Sequence, residues 1–262
     1  MTDKVLLTDI DNRGVARLTM NRPGVKNAFN EDLIVAIADA VKTIAADLSV
    51  RAIVLTGAGD AFSAGGDLNM MRSAGEASSA ENKDEARRLA HMLHTIYDAP
   101  KPVIALVNGA TMGGGVGLVA ACDIAIASDT AFFALSEARL GLIPAVISPF
   151  VIEAIGARQA RRYFLTGERF DTETARRLGL IHMAAMAEQL EATLDGALKS
   201  LLACGPCAQR EAKDLIRSVA GRAITDDIME ETAGRIARLR ASDEGKEGMS
   251  AFLEKRKPNW VK

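Results

Sequence analysis

Between Pro100 and Asp123 the chain reads PKPVIALVNGATMGGGVGLVAACD: an apolar run, a turn, three consecutive glycines and a second apolar run. This order constrains the fold more than any other stretch. Val103 to Val107 lies between Pro102 and Asn108-Gly109, which predicts a buried strand. Val116 to Ala121 continues as an apolar helix. Gly113, Gly114 and Gly115 lie between the two, where the lack of a Cβ lets backbone come within hydrogen-bond distance of another group. The first N–H groups of a helix have no internal acceptor and sit at the positive end of its dipole, so the pattern suits an anion or a developing oxyanion. Close packing of strand on helix calls for the same residue, and one glycine cluster does not separate the two uses. A phosphate loop is excluded because no Gly-Lys-Ser/Thr ending follows. A dinucleotide fingerprint is excluded because no G-x-G-x-x-G register is present.

A second glycine site repeats the layout. Ala52 to Thr56 (AIVLT) predicts a buried strand, and GAGDAFSAGGDLNMM follows, with Gly65 and Gly66 ahead of Asp67 and an apolar run. Two such turns facing one another would present two N–H donors to a single oxygen. Enolate-forming and acyl-transfer chemistry needs that geometry, because donors fixed in advance stabilise charge as it appears in the transition state.

AFSAGGDL, KPVIALVNGATMGGGVGL and FALSEARLGLIPAVISPF together resemble the enoyl-CoA hydratase/isomerase, or crotonase, family, and the likeness runs from NRPGVKNAFN to AFLEKRKPNW. The resemblance implies an α/β fold, a crotonase-like spiral of ββα units with a C-terminal helical appendage. It divides the chain into a core at 1–187 that holds an acyl-CoA site and a helical oligomerisation region at 188–262. By motif position, the N–H groups of Gly66 and Gly114 would hold a thioester oxygen and Glu137 would handle the proton. Lys26, Ala64, Asp67 and Leu68 would contact coenzyme A, which enters as part of the substrate. Phe252 and Lys255 would reach the coenzyme A of a neighbouring subunit in a homotrimer or a dimer of trimers. No separate cofactor and no metal are expected.

The sequence departs from the family at one point. Many hydratases of the family carry a second glutamate just after the triple glycine, and here Gly117 stands in its place. Members with one glutamate include Δ3,Δ2-enoyl-CoA isomerases and bacterial hydratases acting on branched or carboxylated enoyl-CoAs. The runs GGGVGLVAACDIAIA and ALSEARLGLIPAVISPFV are most similar to methylglutaconyl-CoA hydratases of leucine breakdown, and that activity is the expectation. An isomerase and a non-catalytic acyl-CoA binder are the alternatives. A substrate carboxylate would assist in place of the missing acid, and Glu installed at 117 would raise activity on crotonyl-CoA. Arg72, Arg87 and Arg139 are equal candidates to pair with such a carboxylate. Phe132, Phe133, Leu135, Leu140 and Leu142 would supply the apolar surroundings that raise the Glu137 pKa.

Composition bounds the rest. The 262 residues, 48% hydrophobic, suffice for a substantial core. A net charge of −2 leaves no basic excess to displace counterions, so nucleic acid is not expected as a partner. No signal-peptide core and no apolar run of about 18 residues is present, so a cytoplasmic protein without a membrane partner is expected. His91 and His94 share a helical face without an acid at ligand spacing. Cys204-Gly-Pro-Cys207 matches a redox pair in spelling alone, because a helix rather than a strand precedes it and Pro206 suits the first turn of the next helix. Cys122 reads as a small hydrophobe.

For secondary structure, Val5 to Ile10 and Val15 to Met20 predict strands and Glu31 to Ala46 a helix. Arg72 to Asp84 predicts a mobile loop, and Glu85 to Tyr97 a helix. Ile124 to Ala127 predicts a strand. No strand is expected beyond about Glu188.

Overall fold

The computed structural model describes residues 4–261. Two strands open it, β1 (Leu6–Ile10) and β2 (Val15–Met20), followed by helix α1 (Glu31–Ala46). A repeating unit then begins. β3 (Ala52–Gly57) and β4 (Ala61–Ser63) lead into α2 (Leu68–Glu76) and α3 (Ser79–Tyr97). β5 (Val103–Val107) and β6 (Ala110–Met112) lead into α4 (Gly114–Ala120), and β7 (Ile124–Ser128) and β8 (Phe132–Ala134) into a 3₁₀ turn at Glu137–Leu140 and α5 (Ser148–Thr166). β9 (Arg169–Asp171), α6 (Thr172–Leu178) and β10 (Met183–Ala185) close the core. Helices α7 (Leu190–Ala203), α8 (Pro206–Val219), α9 (Asp226–Ala241) and α10 (Asp243–Leu253) follow.

Each repeat gives its first strand to one sheet and its second to another. The larger sheet runs β1-β2-β3-β5-β7-β10 and the smaller β4-β6-β8-β9. β2, β3, β5, β7 and β10 are mutually parallel, and β1 adds antiparallel at the edge. This is the ββα spiral that the sequence resemblance implies.

The inner strands read as unbroken apolar runs because both faces are covered. Ile53, Leu55, Val103, Ala105 and Val107 point into the main core beneath α1 and α3. Their alternates, Val54, Ile104, Leu106 and Ile126, point to the opposite face, where Leu190, Leu194 and Leu198 of α7 cover them. Those leucines recur every fourth residue, one face of a helix, and burying each stabilises by about 1.5–3 kcal/mol. α7 is therefore packed on the large sheet, while α8, α9 and α10 pack mainly on one another.

The segment expected to be a mobile loop is helical. Asp67 caps α2 by accepting from the Asn69 N–H, and only Ala77 and Ser78 separate α2 from α3. Ser78 and Glu81 form a reciprocal capping box, a Ser-x-x-Glu signal that outweighs the Gly, Ser and charge content around it. Among the described residues no helix is long and apolar enough to cross a membrane.

Candidate active site

The loop Arg22 to Phe29 and the strap Ala64 to Asp67 are laced together. Ala64 N donates to Lys26 O at 2.9 Å, Phe29 N to Gly65 O at 2.6 Å and Asp67 N to Phe29 O at 2.9 Å. Gly65 N turns to Ser63 Oγ at 3.3 Å. Phe29 and Gly66 thus form a parallel bridge, and in that pattern the bonds fall on the residues flanking Gly66, so its own N–H points to the other side. Gly65 has φ +86°, and a Cβ there would meet Met112 O at 2.9 Å, so a side chain would meet both strain and a clash.

The second donor begins α4. Gly113, at φ +49°, donates to Ala134 O at 2.8 Å. Gly114 is the first residue of the helix, so its N–H has no intrahelical acceptor. A Cβ on Gly65 would lie 3.5 Å from the Gly114 nitrogen, which places the two glycine turns side by side. Phe29 spans them: its main chain holds the first strap, and its ring lies where a Cβ on Gly114 would approach to 2.9 Å.

Glu137 opens the 3₁₀ turn just beyond β8, whose last residue carries the carbonyl that anchors Gly113. A Cβ on Gly113 would lie 3.0 Å from Glu137 Oε1, so the glycine lets the carboxyl come close. Burial raises the Glu137 pKa above the usual glutamate value, because desolvation disfavours the charged form, and a backbone hydrogen bond opposes this in part. Its Oε2 is buried with no hydrogen-bond partner among the described residues.

Gly66, Gly114 and Glu137 line one cavity of about 830 Å³. Its walls are Met70 and Met71 of α2, one stripe of α3 (Asn82, Glu85, Ala86, Leu89), and the stretch from Leu140 to Ile147. Leu140 and Leu142 contribute to it, whereas Phe133 and Leu135 are buried in the main core and Phe132 lies under Arg169. The apolar surroundings of Glu137 thus come from the segment after it rather than from the strand before it.

The remaining sequence candidates are scattered. Asp67 is buried, accepting from Asn69 N and from Arg22 Nη2 at 2.8 Å, and these bonds hold its carboxyl below the usual aspartate range. Leu68 is 72% exposed at the start of α2. Lys26 is exposed at φ +52°. Phe252 is 84% exposed at the end of α10 and Lys255 follows it, and neither lines the cavity of this chain. Arg87 pairs with Asp84, Arg139 lies against Gly167 and Arg72 is exposed, so none of the three arginines lines the cavity. Asp123 accepts from Val103 N and Lys213 Nζ, both at 2.7 Å, on the far side of α4. Cys204 caps α7, and the Cys207 thiol at the start of α8 is pushed up by burial and by Glu244.

Sequence reasoning missed Ile147, Phe29 and Arg22. A Cβ at Gly117 would collide with Ile147 Cγ2 and Cβ, so the position of the absent second acid is walled by an isoleucine. The NRPGVKNAFN motif contains Arg22 and Phe29, but their partners are distant in the chain.

Comparison with known proteins agrees with this fold. The model of the family described as enoyl-CoA hydratase/isomerase matches residues 11–262. The crotonyl-CoA hydratase of Syntrophomonas wolfei is 33% identical over 253 residues, 94% of each chain. An enoyl-CoA hydratase structure from Shewanella pealeana superposes with a TM-score of 0.94 at 40% identity, covering 98% of this chain and 96% of that one. AtuE of Pseudomonas aeruginosa gives a TM-score of 0.94 at 38% identity, covering 98% of this chain and 100% of its own. With its spiral of ββα units and its paired glycine turns, the chain belongs to the enoyl-CoA hydratase/isomerase family.

Proposed function

We propose that the protein is an enoyl-CoA hydratase that moves water across the Cα–Cβ bond of an enoyl thioester, with Glu137 as its one proton-handling carboxylate. The observation that carries this reading is the meeting on one cavity of two unconsumed N–H donors and a half-buried carboxyl whose Oε2 has no partner among the described residues. In the hydration direction Glu137 takes a proton from water as the water oxygen bonds to Cβ. The Cα–Cβ π pair moves toward the thioester oxygen, where Gly66 and Gly114 stabilise the enolate. Glu137 then returns the proton to Cα, so one water is added and the carboxylate is restored. Each donor is worth roughly 3 to 4 kcal/mol of barrier in comparable sites. Desolvation suits Glu137 to this cycle, since a pKa nearer the working pH makes both proton transfers easier.

The acyl group is the finer part of the proposal. The sequence run around Gly117 supports a carboxylated chain such as 3-methylglutaconyl-CoA. The lining of the cavity favours an uncharged one, because Glu85 and Glu137 are its charged groups and no arginine, lysine or histidine lines it among the described residues. A second reading, a Δ3,Δ2-enoyl-CoA isomerase, is favoured by Ile147, which fills with hydrocarbon the place where a second acid would hold water. Incubation with 2-enoyl-, 3-enoyl- and glutaconyl-type CoA esters, followed by chromatographic separation of the isomers and mass spectrometry, separates these. Gain of one water on a 2-enoyl ester supports hydration, and conversion of the 3-enoyl ester at unchanged mass supports isomerisation. Absence of both overturns the catalytic reading in favour of an acyl-CoA binder.

Assembly as a homotrimer or dimer of trimers and a cytoplasmic location belong to the same proposal. The exposed apolar side chains Ile216, Phe252 and Leu253 of the C-terminal helices support the first.

A further inference from the structure

We propose that Arg22 is a positioning residue that aims the Gly66 N–H, acting through Asp67 and the Ala28 carbonyl. This rests on the reading of Gly66 as an oxyanion donor. The Arg22 guanidinium is largely buried and reaches both sides of the seam at once. Nη1 donates to Ala28 O, in the segment leading to Phe29, and Nη2 donates to Asp67 Oδ2, on the residue that follows Gly66. Around that fork the strap residues Ala64, Gly65 and Asp67 each give up their N–H to a neighbour. Gly66 is left facing the cavity. A guanidinium can make the two bonds in fixed geometry because it is planar and forked, and an ammonium on a flexible stem cannot.

The loop that carries Arg22 is held in a costly shape. Lys26 and Asn27 are consecutive non-glycine residues at φ +52° and +54°, and such conformations persist only where their surroundings over-determine them. Here the fully buried Asn27 supplies that constraint, with its amide donating to Ala58 O and Ala61 O and its Oδ1 accepting from Arg22 N. Arg22 is thus fixed at its own backbone as well as at its guanidinium. Strain localised beside a donor strap, and locked from both ends, is the mark of a part whose position matters more than its stability.

The test uses Arg22→Lys and Asp67→Asn in the full-length protein. Arg22→Lys keeps the charge and loses the fork. Asp67→Asn keeps a helix-capping side chain and loses the ion pair. Two ligands report on the site without turnover: butyryl-CoA, whose thioester stays neutral, and acetoacetyl-CoA, whose enolate has its own ultraviolet band. Both variants are expected to lower kcat on a 2-enoyl-CoA at least tenfold and to weaken the bound enolate band, while the butyryl-CoA Kd changes less than threefold. A folded Arg22→Lys that keeps kcat and the enolate band within twofold of wild type overturns the proposal. So does a variant in which kcat and butyryl-CoA affinity fall in the same proportion. Wild-type protein that binds butyryl-CoA but neither turns over enoyl esters nor ionises acetoacetyl-CoA overturns the oxyanion-hole reading itself, and the role of Arg22 with it.

Discussion

Ile147 lies across Gly117 so closely that any Cβ at 117 would run into its Cγ2 and Cβ. One residue therefore explains why the other is glycine, and together they decide how many acids the site can hold. Gly117→Glu alone is expected to overpack the joint between α4 and α5, costing about 1–3 kcal/mol or more, and to give no gain on crotonyl-CoA. Gly117→Glu combined with Ile147→Ala makes room for the carboxylate and is expected to recover stability relative to the single variant and to raise hydration of crotonyl-CoA above it. Urea denaturation and a crotonyl-CoA assay on the three proteins check both points. The simple expectation that a glutamate at 117 restores activity is thus corrected by the packing.

Glu137→Gln should remove the proton shuttle and lower kcat by about 10²- to 10⁴-fold. Hydration starts from the carboxylate, so wild-type kcat/KM should rise with pH through a Glu137 pKa above the ordinary 4.5. Stability runs the other way. A raised folded pKa means that the group's favourable contribution is complete below its unfolded value and is lost as pH rises through the folded one. Glu137→Gln is therefore expected to have a higher Tm than wild type near neutral pH, with the difference closing on acidification toward 4.5. Melting curves across that range read this directly, and a constant difference would contradict it.

The two donors differ in what a methyl group would meet. At Gly66 the nearest atom to an added Cβ is Met71 Cε at 3.3 Å, the end of a flexible side chain, whereas at Gly114 it is the Phe29 ring at 2.9 Å. Gly66→Ala is expected to stay within about 1 kcal/mol of wild type in stability, and Gly114→Ala to lose about 1–3 kcal/mol. Gly66→Pro, which deletes the N–H, should cost about 10²- to 10³-fold in kcat. Thermal melts and steady-state kinetics on the three variants separate room from hydrogen bonding.

Lys213 and Asp123 join α8 to the core. Burial pushes the Asp123 pKa up while Lys213 holds it down. Lys213 has a side chain only 11% exposed. Lys213→Met leaves the half-buried Asp123 carboxylate with the Val103 N–H but without its ammonium partner and is expected to destabilise by about 1–3 kcal/mol. Adding Asp123→Asn to that variant should return part of the loss, since the amide needs no counter-charge. Denaturant midpoints of the single and double variants give the coupling.

Local signals were legible in the sequence. The helix Glu31–Ala46 and the strand Val15–Met20 have the bounds their apolar periodicity predicts. Pro206 begins α8 as its fixed φ suggests. The glycine turns were readable because a missing side chain is itself a local fact. The stretch from Arg72 to Asp84 is helical against its composition, because the Ser78–Glu81 capping pattern outweighs its Gly, Ser and charge content. Ile147 and Phe29 were not readable, since each acts on a glycine far along the chain, and such contacts exist only once the spiral has closed. Arg72, Arg87 and Arg139 lie off the cavity for a related reason: charge is written in the sequence, but the direction in which the fold presents it is not.

The left-handed pair Lys26-Asn27 has a consequence for how the protein matures. Asn27 finds its acceptors on the turn between β3 and β4 and on the first residue of β4, and without them the bend would relax. The Gly66 N–H, the first of the two proposed oxyanion donors, thus gains its orientation only after distant strands have come together. Chains that have collapsed but not finished folding should be inert toward thioesters, which makes turnover itself a reporter of complete assembly.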